Sequence, residues 1–177
     1  MKQHHGMRPQ DIVVLLKIVA TNNNQWRNLD IAYALRISQS EVSEVLNRCK
    51  ISKLINKEKR EVHLNALTEF LIFGLKYVFP AEPGALSKGI PTAHSAPPIN
   101  DMIISGTESY VWPNPNGNMR GQAIDPLYKT VPEAAMDDQE FYKLIALVDA
   151  IRIGKAREVK IAVDELTLRL RHDKATH

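Results

Sequence analysis

Eight of the chain's ten prolines and five of its eight glycines lie within residues 80–126. Proline removes a backbone donor and fixes φ, while glycine leaves the backbone unrestrained, so that stretch cannot hold a long helix. The constraint divides the 177 residues into parts 1–79, 80–126 and 127–177. The middle part is not a flexible tether, because Leu86, Ile90, Ile99, Met102, Ile103, Ile104, Tyr110, Val111 and Trp112 are too many apolar groups for a solvated linker. It is expected to be an ordered, irregular segment laid over another surface. One short strand is expected at Ser109–Trp112, with extended or turn sections at Pro97-Pro98 and Pro113-Asn114-Pro115.

The flanking parts read as helices. Pro9 suits a first helical position, and Ile12, Leu15, Leu16 and Val19 recur at helical spacing. Asn28 is placed to cap a short helix that puts Ile31, Ala32 and Leu35 on one face. After a turn at Arg36-Ile37, Ser38-Gln39-Ser40-Glu41 matches a capping box. The helix it opens buries Val42, Val45, Leu46 and Cys49 and presents Gln39, Ser40, Ser43, Glu44 and Asn47 on the other side. Leu54-Ile55 and Val62-His63-Leu64 then flank a charged run, Asn56 to Glu61, which fits a β-hairpin. Asn65 is expected to cap a helix through Leu67, Leu71, Leu75 and Val78 that Pro80 ends. That helix is apolar on most sides and must be covered, by its own domain or by a partner chain. In the last part, Asp137-Asp138-Gln139-Glu140 opens a helix through Phe141, Leu144, Ile145, Val148 and Ile151. Gly154 ends it, and a second stripe follows at Val159, Ala162, Val163, Leu166 and Leu170.

Net charge is +3, and the basic excess is confined to residues 1–79, which hold 12 Lys and Arg against 7 Asp and Glu. It concentrates at Arg48, Lys50, Lys53, Lys57, Lys59 and Arg60, opposed only by Glu58. Such a cluster is the footprint of a phosphate-backbone contact. A helix fits the B-DNA major groove, where side chains near its N-terminus reach base edges. Gln39, Ser40, Ser43 and Asn47 are therefore the candidate base contacts, and Ser38, Arg48, Lys50, Lys53, Lys57, Lys59 and Arg60 the candidate backbone contacts.

The run Leu29 to Ser43 resembles the helix-turn-helix of winged-helix bacterial transcriptional regulators, including the MarR-like and ArsR-like groups. Ala32 stands as the small residue within the first helix, Leu35 and Ile37 bracket the turn, Ser38 is the cap, and Val42-Ser43 lies inside the second helix. Lys50-Ile51-Ser52-Lys53-Leu54-Ile55 resembles the stretch joining the recognition helix to the wing. The resemblance covers roughly residues 9–79.

Other chemistries find less. The chain has no phosphate-cradling Gly-rich loop, no His-Glu-x-x-His and no Gly-x-Ser-x-Gly, so no enzyme activity, cofactor or metal site is expected. His4-His5 reads as a tail, His63 as structural, and His94 stands alone. One cysteine, Cys49, allows no intrachain disulfide and reads as a core thiol. No apolar run approaches the ~20 residues of a membrane span, and Met1 to Gly6 lacks the apolar stretch of a secretory signal. The expectation is a cytoplasmic, mainly α protein: a winged helix-turn-helix domain, an irregular Pro/Gly-rich segment and a C-terminal helical pair. Its expected partners are double-stranded DNA and a second copy of itself, as a homodimeric repressor. The alternative is a protein-interaction module, antitoxin-like or a defence-system partner, engaging another protein through residues 80–177.

Overall fold

The computed structural model describes residues 6–104 and 106–172, without the side chain of His172. His4 and His5 lie outside the described residues. The chain is mainly helical, with a small three-stranded sheet.

Helix α1 (Pro9–Thr21) starts with Pro9 at its first turn and ends at Asn22, whose φ is 45°. Ile12 to Leu16 are all at most 1% exposed, so α1 is enclosed on all sides and does not show the one-faced stripe of its sequence spacing. The reason is its position: α2 and α3 pack on it, and so does α7 of the C-terminal part. Helix α2 (Asn28–Leu35) is capped one residue earlier than expected, at Arg27, whose amide donates to Asp30 Oδ2 at 2.9 Å. Arg36 adopts a left-handed φ of 56° and closes α2, with the Ile37 amide returning to Ala32 O at 3.0 Å. Helix α3 (Gln39–Ile51) opens on the expected capping box: the Glu41 amide donates to Ser38 Oγ at 3.1 Å and the Ser38 amide to Glu41 Oε2 at 2.8 Å. It buries Val42, Val45, Leu46 and Cys49 as its pattern requires.

The charged hairpin is narrower than its sequence suggests. A single bridge joins Ile55 to Val62. The turn is held by Asn56, whose Oδ1 accepts from the Arg60 and Glu61 amides at 2.9 and 3.2 Å. The strands cannot lengthen, because α4 (Leu64–Phe73) begins two residues after the bridge, with His63 in place of Asn65 at its cap. Gly74 interrupts that helix before a four-residue α5 (Leu75–Val78). Leu67, Leu71 and Leu75 point inward, while Phe73, Tyr77 and Val78 remain 71%, 74% and 53% exposed.

The Pro/Gly-rich segment is more regular than expected. Strands β1 (Leu86–Pro91), β2 (Tyr110–Pro113) and β3 (Met119–Ala123) close into a small barrel in which β1 runs antiparallel to both others. β2 corresponds to the expected strand, whereas β1 and β3 carry no hydrophobic alternation to announce them. Glycine makes the closure possible: a Cβ on Gly89 would lie 2.0 Å from the Trp112 carbonyl oxygen, and one on Gly117 2.1 Å from the Gly89 backbone.

After a short helix α6 (Val131–Met136), Asp138 caps α7 (Gln139–Ile153), its Oδ1 accepting from the Glu140 and Phe141 amides at 3.1 Å. From Phe141 to Ile151 only Lys143 escapes burial. Helix α8 (Ala156–His172) folds back along α7, bringing Arg169 to 3.4 Å from Glu140, and packs against α4. Buried apolar side chains from all three parts join in one core, with α1 and α7 in contact at its centre. Among the described residues no helix is long and apolar enough to cross a membrane.

Candidate nucleic-acid interface

The α2–α3 unit and the turn after it gather most of the expected contact residues onto one surface. On α3, Gln39, Ser40, Ser43, Glu44, Asn47 and Lys50 are exposed and fall at helical spacings of one, three and four. Among the described residues, Gln39 and Ser40 have no hydrogen-bond partner for their side chains. Ser43 Oγ accepts from Asn28 Nδ2 at 3.2 Å and keeps its own proton to donate. Asn47 Oδ1 accepts from Lys59 Nζ, which leaves the Asn47 amide hydrogens facing solvent. The hairpin is thereby tied to the polar face of α3.

Lys50, Lys53 and Lys57 are exposed, and among the described residues their ammonium groups make no ion pair. Lys53 occupies the left-handed position that ends α3, with φ 61°, and the Leu54 amide donates back to Cys49 O at 2.9 Å. This is a Schellman-type closure with lysine where glycine is usual. It aims the chain into the hairpin.

Three expected backbone contacts are placed differently. Arg48 is only 9% exposed, and its Nε and a terminal nitrogen donate to Asp11 Oδ1 at 2.9 and 2.7 Å. Its charge neutralises the fully buried Asp11 and is not offered to a phosphate. The sequence carried part of the signal: a carboxylate directly before the apolar run Ile12 to Leu16 demands a polar or charged partner inside the fold, but nothing local names Arg48 as that partner. Arg60 folds over the Trp26 ring, 5.1 Å from its centroid, and donates to Trp26 O at 2.8 Å. Ser38 spends its hydroxyl on Glu41, donating to Oε2 at 3.0 Å while accepting from the Glu41 amide.

Glu41 is a joint that sequence reading saw only in its capping role. Its carboxylate also accepts from Gln10 Nε2 at 3.3 Å and from the Tyr128 hydroxyl at 3.2 Å, so α1, α3 and the segment before α6 meet there. The hydrogen bonds from the Ser38 amide and hydroxyl hold the Glu41 carboxyl below the usual carboxylate range. Its negative charge fills the N-terminus of α3, so anion attraction there is already satisfied within the chain.

Away from this surface, a second buried polar group fastens the barrel to α7. Asp149 Oδ2 accepts from Thr92 Oγ1 at 2.7 Å and Trp112 Nε1 at 2.8 Å, while Oδ1 accepts from Arg152 at 2.9 Å. Arg152 Nε also reaches Phe79 O at 3.0 Å. These partners saturate one another, as a structural clasp should. Burial pushes the Cys49 thiol well above its ordinary value, which keeps it protonated and unreactive. Comparison with protein-family models, curated proteins and solved structures finds no match to this chain.

Proposed function

We propose that this protein is a sequence-specific DNA-binding transcriptional regulator that acts as a homodimeric repressor. In this reading residues 9–79 form a winged helix-turn-helix head, α3 enters the major groove, and the Ile55–Val62 hairpin is a minimal wing. The observation that carries it is the α3 surface: a row of side chains able to read base edges, bordered by three exposed lysines, on a helix whose opposite side is locked into the core. Gln39 and Asn47 offer amides suited to adenine, and Ser40 and Ser43 hydroxyls that donate or accept. Lys50, Lys53 and Lys57 supply the sequence-independent attraction to phosphates.

The test begins with selection of a preferred duplex from a random pool by the full chain. Gln39→Ala is expected to cost about 1–3 kcal/mol on the selected duplex and much less on a scrambled one, where phosphate contacts survive. Folding stability stays level, because an exposed side chain is replaced by the best helix former. No enrichment of any duplex, with no salt-dependent binding, would remove the proposal. A second reading, a protein-interaction module, draws on the uncovered Phe73, Tyr77 and Val78, and it would stand if α3 variants left DNA binding unchanged.

A further inference from the structure

We propose that the outward side of α4–α5 is the surface on which two copies of this chain associate, with the two helices antiparallel about a two-fold axis between Ile72 and Phe73. The proposal rests on the homodimer part of the functional reading and assigns it a place. Leu67, Leu71 and Leu75 define the inward side of this helix pair. Glu69, Phe73, Lys76 and Tyr77 lie on the other and are all exposed. Phe73, Tyr77 and Val78, at 71%, 74% and 53% exposed, lie within six residues of one another and so group into a patch. Lys76 Nζ stands 5.0 Å from the Tyr77 ring centroid, and among the described residues neither Glu69 nor Lys76 forms an ion pair.

Charge selects a second copy as the occupant. Glu69 on α4 and Lys76 on α5 are both exposed and flank Phe73 in sequence, with the break at Gly74 between them. When two identical helices pair antiparallel, residue i of one faces a residue whose number adds with i to a constant. The axis that sets Glu69 against the partner's Lys76 also sets Lys76 against the partner's Glu69, and it brings Phe73 against the partner's Ile72. One register thus satisfies both charges and covers the central aromatic, which is the self-complementarity an isologous interface requires. Beside Phe73, a groove between α4 and α8 lined by Thr68, Ile72, Thr167 and Leu170 is open to receive the partner's ring.

The measurement is the mass and dissociation constant of the full chain by light scattering and sedimentation at micromolar concentration. The wild type is expected at about twice 20.0 kDa. Glu69→Lys and Lys76→Glu each place like charges opposite one another and should weaken the dimer at least tenfold, whereas the combined E69K/K76E chain restores the register and the affinity. Phe73→Glu should give a monomer. Circular dichroism should remain that of wild type, since every altered side chain is exposed, while the melting midpoint should fall by the mass-action contribution of the dimer alone and lose its dependence on protein concentration. A monomeric wild type overturns both the proposal and the homodimer reading. A dimer insensitive to Phe73→Glu, or a double variant no better than either single one, overturns the proposal and leaves the homodimer in place elsewhere. DNA binding is read separately on the Phe73→Glu monomer, whose α3 is untouched, so failure of the interface and failure of DNA recognition are told apart.

Discussion

Among the described residues, Asp11 and Arg48 form the one charged pair that couples α3 to α1. The carboxylate is fully buried and accepts from the guanidinium and from the Arg8 amide at 2.9 Å. Such a pair adds little stability over an apolar substitute, yet removing one member strands the other. Arg48→Met is therefore expected to cost about 3–5 kcal/mol, read as a lower urea midpoint, while Asp11→Leu combined with Arg48→Met recovers most of that loss. Equal midpoints for the single and double variants would show that the packing of the arginine stem, and not its charge, carries the effect. The arithmetic of the basic cluster changes with it: of six neighbouring cations, Arg48 faces inward, Arg60 lies on Trp26 and Lys59 is held by Asn47, which leaves Lys50, Lys53 and Lys57 to meet solvent.

At the scale of elements, the barrel depends on backbone contacts that no side chain announces. Gly89→Ala would drive a methyl group into the Trp112 carbonyl at 2.0 Å, a contact with backbone that no rotamer change relieves. The expected outcome is a loss exceeding about 4 kcal/mol or failure to accumulate folded protein, measured by thermal melting. Ser87→Ala, in the same strand but half-buried, is the control and should melt within a few degrees of wild type. The same contrast explains what could be read from the sequence. Helices α3 and α7 were legible because a capping box or an Asp cap and an apolar stripe agree within a single run of residues. β1 and β3 were not, because the register that joins them runs from Gly89 opposite Met119 to Leu86 opposite Gln122, far apart in sequence, and their residues, Ser87, Lys88, Arg120 and Gln122 among them, have no strand preference. The polar row of α3 was legible for the same local reason that α3 was. The inward turn of Arg48 and the Glu41 joint were set by Gln10, Asp11 and Tyr128, distant residues that only the folded chain brings near.

For the whole molecule, the central fact is that α1 and α7, from opposite ends of the sequence, pack on each other. Lys17 reaches Asp138 and stands 5.6 Å from the Phe141 ring centroid, so the first helix is completed by the last part of the chain. Residues 6–79 expressed alone would expose the α7-facing side of α1 and are expected to be poorly ordered, with collapsed amide dispersion in a heteronuclear spectrum. The full chain should unfold in one calorimetric transition whose van't Hoff and calorimetric enthalpies agree. Two separated transitions would show that the parts fold independently. The triple anchorage of Glu41 has a thermodynamic corollary. A helix fastened at its first turn to α1 and to Tyr128, and near its end to Asp11, has already given up its conformational freedom before any ligand arrives. Association on its exposed face then carries little ordering penalty, so the heat-capacity change of binding should be proportional to the surface that docking alone covers, with no folding contribution added.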